Sequence, residues 1–286
     1  ETKHLKKRYN SMIMSKETLI KSIREIPDFP IPRILFYDVT TLFKDPWCLQ
    51  ELSNIMFDMY KDKELRSPAS GDWDPQNGAG AAGRISDSIY GCCDAAMRKD
   101  AMAGYYAAIT HVDHQLGRIL TTLKEDGVYD DTIILFTSDH GEMLFDHNLW
   151  RKVFPYEGST HIPFLVHIGK HIADIVPHTV NGITELRDVM PTLLDLCGLQ
   201  IPHTVDGCSL KDCILQEAES VRSYLHGEHS FHDKLSNHYI VTQQDKFIWY
   251  SETGEEQYFD LSRDPQETHN AILDEEYQSR ISELRG

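Results

Sequence analysis

No stretch of the 286 residues stays apolar for the roughly eighteen positions that a membrane-crossing helix needs, and no charged start followed by an apolar core marks a leader peptide. A helical membrane span is therefore not expected. Basic residues are scarce: 28 lysines and arginines stand against 45 aspartates and glutamates, for a formal charge of −17. A surface that neutralises nucleic-acid phosphates requires a basic field, which excludes nucleic acid as a partner. A small anionic substrate is not excluded, because a bound cation and a few local lysines or histidines set the field inside a pocket. The six cysteines, Cys48, Cys92, Cys93, Cys197, Cys208 and Cys213, include no C-x-x-C pair. That spacing excludes a zinc finger and a disulfide scaffold and predicts reduced, mostly buried thiols. With no leader in view, it tilts the expected location towards the cytoplasm. Internal repeats and low-complexity tracts are lacking as well, which excludes a solenoid.

What remains suffices for a folded protein, since 41% of the residues are hydrophobic. Helical spacing runs through Leu19, Ile20, Ile23 and Ile26, and Ile34 to Phe43 reads as a strand whose apolar run suits a buried parallel sheet. A polar stretch around Gly78-Ala79-Gly80 reads as loop, with a short helix near Leu52 to Met59. The clearest helix spans about Arg98 to Asp126. Tyr105, Ile109, Val112, Leu116, Ile119 and Leu123 recur there as one stripe, and Gly127 stops it. Ile133 to Thr137 and Phe164 to Ile168 follow as short buried strands, the first completing half of a βαβ unit. Thr184 to Cys197 reads as a second amphipathic helix. After Pro202 the pattern changes to short strands at Ser223–Glu228, His238–Val241 and Phe247–Tyr250, then a final helix from about Asp274. The expectation is an α/β domain over 1–215, a mixed or parallel sheet flanked by helices, followed by a small antiparallel α+β subdomain over 216–286.

The chemistry concentrates in Thr137 to Pro163, TSDHGEMLFDHNLWRKVFPYEGSTHIP. Asp139 and His140 follow a strand at its carboxyl end, where open α/β sheets place ligand-binding groups. A carboxylate beside an imidazole suits a divalent cation: oxygen donors favour calcium, magnesium or manganese, and imidazole also admits zinc. As a bare tripeptide, Asp-His-Gly after a strand is more often a turn in which the aspartate binds backbone amides. Lys152 taken singly reads as a solvated surface lysine, and His161 before Ile-Pro as a packing or capping histidine. His111, His114 and His147 carry weaker signals still.

The ordered string resembles the sulfatase family, with its SDHG-like metal motif, an anion-contacting lysine, and a YEG stretch leading to R/H-x-P. The resemblance extends through Tyr105–Arg118, through Asp188-Val189-Met190-Pro191-Thr192-Leu193-Leu194-Asp195, and through Tyr258-Phe259-Asp260-Leu261 with Asp264-Pro265 and Glu267. It covers roughly residues 30–286. It implies an alkaline-phosphatase-like fold and hydrolysis of a sulfate monoester, with phosphonate or phosphate monoester hydrolysis as the chemical alternative. It also implies that Asp139 and His140 hold the metal, calcium first and magnesium or manganese next. Lys152 then neutralises the oxygens of a small sulfated or phosphorylated substrate, and His161 donates a hydrogen bond or relays a proton.

The chain also departs from that family. Its nucleophile is a formylglycine made from the cysteine or serine of a C/S-x-P/A-x-R motif, and no cysteine or serine here fits that pattern. The early Asp-Asp ligand pair is missing, and Trp47 stands where the family has a histidine. Two readings follow. Either the chain is part of a longer sulfatase and inactive by itself, or it is a degenerate relative that binds an anion or a partner. An incomplete sheet leaves an open edge, from which a homodimer is expected.

Overall fold

The computed structural model describes residues 21, 23–27, 35–38, 44, 46–74, 94–230 and 236–285. The expected loop around Gly78–Gly80, the helical residues Leu19 and Ile20, and Cys92 and Cys93 lie outside them. Contacts divide the chain into two units, Glu1–Arg66 with Ala95–Arg118, and Ser67–Asp94 with Ile119–Gly286.

In the first unit, β1 (Arg24–Pro27) pairs antiparallel with β2 (Leu35–Asp38). The helical spacing read through Ile23 and Ile26 is thus overturned: Ile26 sits in a strand, opposite Phe36. Pro27 and Pro30 explain why, because a residue preceding a proline disfavours helical angles and no long helix continues through them. Helix α1 covers Pro46–Asp58. Helix α2 (Ala95–Glu125) runs into the second unit and ends at Gly127, whose φ of +72° supplies the left-handed stop. The α2 stripe falls on the helix as expected but is only partly covered: Leu116 and Leu123 are half-buried, Ile109, Val112 and Ile119 remain 49%, 53% and 58% exposed, and the buried positions are instead Met102, Ala103 and Ala107.

In the second unit, β3 (Ile133–Thr137) pairs with β4 (Phe164–Ile168), from Ile133 opposite Ile168 to Thr137 opposite Phe164. The pairing is antiparallel. The βαβ reading of this strand is corrected accordingly, since every strand pairing among the described residues is antiparallel. Both strands are half-buried rather than enclosed, and Leu165 is 61% exposed. The short α3 (Glu157–Thr160) precedes β4, and α4 (Val189–Leu196) closes at Gly198.

The carboxy-terminal sheet is a meander of β5 (Leu225–His229), β6 (Asn237–Val241), β7 (Asp245–Tyr250) and β8 (Glu256–Asp260). Alternation gives it two working faces. Ile248, Tyr250 and Phe259 pack against Met143, Leu149, Phe154 and Tyr156. Phe247 and Tyr258 on the opposite face pack against Ala271 and Ile281, the latter on α5 (Gln278–Arg285). The sheet is therefore the floor beneath the segment that carries the Asp-His-Gly motif. Cys48 and Cys213 are buried, while Cys197 is exposed and Cys208 intermediate.

Candidate active site

Antiparallel pairing decides what meets at the site. Because Thr137 lies opposite Phe164, the chain leaving β3 and the chain entering β4 emerge at the same end of the hairpin. Asp139 and His140 thereby come to line one cleft with Lys152 and His161. The cleft encloses about 1590 Å³ and continues along Thr179–Arg187 to β5.

Within it, the Asp139 Oδ2 and His140 Nε2 atoms lie 3.4 Å apart. Lys152 Nζ sits 2.8 Å from His140 Nε2, and His140 Nδ1 lies 2.8 Å from the Gly141 carbonyl. The lysine ammonium donates to Nε2, so Nδ1 carries the ring proton and donates to Gly141. The Nε2 lone pair is thereby taken up by the Lys152 ammonium. Desolvation would raise the Asp139 carboxyl, but the hydrogen bond from the His140 amide and the nearby Lys152 charge outweigh it and hold the group below its usual value. With Lys152 displaced from Nε2, Asp139 Oδ2 and His140 Nε2 would form a pair of donors suited to a hard divalent cation. Among the described residues no group of three histidine, cysteine or carboxylate side chains is arranged to complete a shell.

The loop behind these groups is held by close backbone approach and by burial. A side chain at Gly141 would collide with the Gly158 carbonyl, because Gly141 N donates to Ser159 O at 2.8 Å and Glu142 N to Gly158 O at 2.7 Å. Between them, Leu144, Phe145, His147, Asn148 and Arg151 all adopt positive φ. Such angles are costly for these residues and persist where the surroundings over-determine them. Here Leu144, Phe145 and Leu149 are buried, and Glu142 accepts from the amides of Leu144 and Arg151. His147 belongs to this scaffold: its Nδ1 lies 2.8 Å from Asp74 Oδ1, its Nε2 lies 2.9 Å from the Gln266 carbonyl, and its ring stacks on Trp73. His111 and His114 are exposed on α2. The Asp188–Asp195 motif is structural too. Buried Asp188 receives Arg222 through two 2.6 Å contacts, Thr192 receives the Leu210 amide, and Asp195 receives Ser209 and Lys211.

His161 is anchored differently. Its Nδ1 donates to Glu157 Oε2 at 2.7 Å, and that hydrogen bond raises its pKa. Glu157 Oε1 accepts from Lys246 Nζ at 2.7 Å, and Lys246 donates equally closely to Glu267 Oε1. Glu267 Oε2 in turn accepts the Glu157 amide at 2.7 Å. Lys246 is fully buried, and the sequence reading missed it. A signal was present, because Lys246 occupies an inward position of β7 in register with Ile248 and Tyr250. Burial pushes the Glu157 carboxyl up, but the hydrogen bonds and charge of His161 and Lys246 prevail and bring it down to about 2. The glutamates of two separate motifs, YEG and D-P-x-E, thus share one lysine.

Two family models match the chain: Sulfatase over residues 51–199, and N-sulphoglucosamine sulphohydrolase, C-terminal, over residues 145–286. An arylsulfatase of Clostridium perfringens is 48% identical over 230 residues, 80% of this chain and 48% of that protein. The chain thus spans about half the length of this relative. A solved structure holding its substrate D-glucosamine-2-N,6-O-disulfate is 26% identical with a TM-score of 0.57, covering 68% of this chain and 41% of that one. The phosphonate monoester hydrolase of Agrobacterium radiobacter is 29% identical with a TM-score of 0.56, covering 66% and 40%. A different kind of match is the adenine phosphoribosyltransferase of Bacteroides thetaiotaomicron, 96% identical over 54 residues, 19% of this chain and 31% of that protein. With the motif string, the cleft geometry and a family model over more than half its residues all in agreement, this chain belongs to the sulfatase family.

Proposed function

We propose that this chain supplies the metal-side and anion-side half of a sulfuric ester hydrolase. One observation carries the reading: Asp139, His140 and the Lys152 ammonium converge within hydrogen-bonding distance in a single cleft. Asp139 and His140 would hold a divalent cation, calcium first and magnesium or manganese next, which supplies positive charge to draw in and polarise a sulfate group. Lys152 neutralises sulfate oxygens as charge develops on them, and His161 presents its Nε2 as a donor. No C/S-x-P/A-x-R stretch occurs in the 286 residues, so turnover by this chain by itself is not proposed. Likeness to the phosphonate monoester hydrolase supports the alternative, a phosphonate or phosphate monoester in the same cleft.

Calorimetry tests both readings. Calcium should bind the wild type and fail to bind Asp139→Asn, and inorganic sulfate should then bind the calcium-loaded protein but not Lys152→Met. Binding of methylphosphonate in preference to sulfate favours the alternative, and the absence of any cation binding sinks both. Light scattering that finds a monomer at all concentrations would exclude the homodimer.

A second reading concerns the amino-terminal part. The sulfatase match begins at residue 51, so the preceding stretch carries no sulfatase match, and the chain also shares 54 residues at 96% identity with a phosphoribosyltransferase. We infer that the chain is composite there, and that Trp47 differs from the family because it does not descend from the sulfatase. With 31% of that enzyme represented, no phosphoribosyl transfer is proposed. Mass spectrometry of the endogenous protein tests the join. A peptide crossing Arg66 ties both parts into one polypeptide, whereas recovery of intact species ending or starting near that residue overturns it.

A further inference from the structure

We infer that Lys246 is a positioning residue for the cleft: from beneath, through Glu157, it sets the orientation of His161. The inference rests on the proposed anion site only for its purpose; the network itself is geometric. His161 is 78% exposed and reaches the cleft from the end of a four-residue helix, too short to hold a side chain rigidly. Its one anchor among the described residues is Glu157, and a glutamate with a free carboxylate would swing. Glu157 does not, because both its oxygens are committed, Oε2 to His161 and Oε1 to Lys246.

Lys246 in turn has no freedom. It is wholly buried on β7, flanked along its face by Ile248 and Tyr250 of the core, and holds Glu157 and Glu267 at 2.7 Å each. A buried ammonium requires such partners, and a buried carboxylate requires such a cation. Glu267 closes the arrangement by receiving the Glu157 amide, which fixes the start of the helix that carries His161 at its end. Charges alternate along the chain of contacts, from His161 to Glu157 to Lys246 to Glu267, and cancel when His161 is protonated. The charged groups acting on His161 are Glu157, which raises its pKa, and more weakly Lys246, which lowers it. The protonated ring therefore completes the charge balance of a buried network while its Nε2, unpartnered among the described residues, stays available to an anion. This explains why a strand of the carboxy-terminal sheet carries a lysine at a core position.

Nuclear magnetic resonance of the full chain tests the inference without requiring turnover. In the wild type the buried Lys246 ammonium is shielded from exchange, and its nitrogen shift should move with the same midpoint as the His161 ring titration. Independent titration of the two groups overturns the inference, whatever any variant does. Replacing Lys246→Met together with Glu267→Gln removes one charge of each sign. In that variant the direct loss of the Lys246 charge raises the His161 midpoint, so the readout is geometric: the nuclear Overhauser contact between the His161 ring and Glu157 should weaken and sulfate affinity should drop about tenfold, while Lys246→Arg restores both in part. An unchanged ring shift and Glu157 contact in a folded double variant also overturns it. A coupled network in a wild type that ignores sulfate counts against the proposed reaction and leaves the role of Lys246 supported.

Discussion

The carboxy-terminal meander and the long helix α2 treat apolar residues in opposite ways. In the meander and the helix that covers it, Ile248, Phe259 and Ile281 are wholly buried, and each sheet face has its own covering layer. On α2, a stripe of similar hydrophobicity leaves Ile109, Val112 and Ile119 about half exposed. Both segments follow the periodicity of their secondary structure faithfully. The difference is one of partners: an amphipathic face specifies that something must cover it, and only a neighbouring element determines whether anything does. The site draws on the first kind of region, because the loop carrying Asp139 to Lys152 rests on the closed sheet.

Substitutions can sharpen that contrast, and the largest effect is expected at Lys246. Lys246→Met leaves Glu157 and Glu267 without their cation and should cost about 3–5 kcal/mol in urea denaturation, with part of the loss recovered when Glu267→Gln is added. Next comes Ile248→Ala, which opens a cavity between the sheet and the site loop and should cost about 2–5 kcal/mol. Equal stability of either variant and the wild type would break the claim that this sheet is the closed core.

A smaller, pH-dependent effect is expected at His269. Hydrogen bonds to Asp274 and then Asp72 raise its pKa above the ordinary 6.5, against a modest opposing effect of desolvation. Its folded-state value is the higher one, so its contribution is fully present below 6.5 and fades as pH rises through the raised value. Urea midpoints measured across that range should decline in the wild type and flatten in His269→Gln. Glu157 acts in the opposite sense: held near 2 against an ordinary 4.5, it stabilises the fold above 4.5 and loses that contribution as the solution is acidified towards 2. The smallest effect is expected on the exposed stripe, where Val112→Ser should stay within about 0.5 kcal/mol. A loss comparable to that of Ile248→Ala would mean that the stripe is covered in solution, which would erase the contrast.

Much of this was legible in the chain. Periodicity located α2 and three of the four meander strands to within a few residues, because helix and strand repeats differ and glycine stops are local, but β8 was not read as a strand. The motif string singled out Asp139, His140, Lys152 and His161, and the structure gathers all four into one cleft. The direction of strand pairing was not legible, since an apolar run such as Ile133–Thr137 suits parallel and antiparallel neighbours alike. Nor was the alternative fate of Ile26, where two nearby prolines outweighed an apparent helical spacing.

The sequence by itself determined the elements, the family and the residue types available for chemistry, because these depend on local propensity, on periodicity and on motifs contiguous along the chain. Only the tertiary structure decided that His147 and Asp188 are scaffold and that Glu157 and Glu267 share Lys246. Glu157, Lys246 and Glu267 lie between 21 and 110 positions apart along the chain. A buried charge takes its role from whichever opposite charge the fold places within about 3 Å of it, and that distance is not written in the order of the residues.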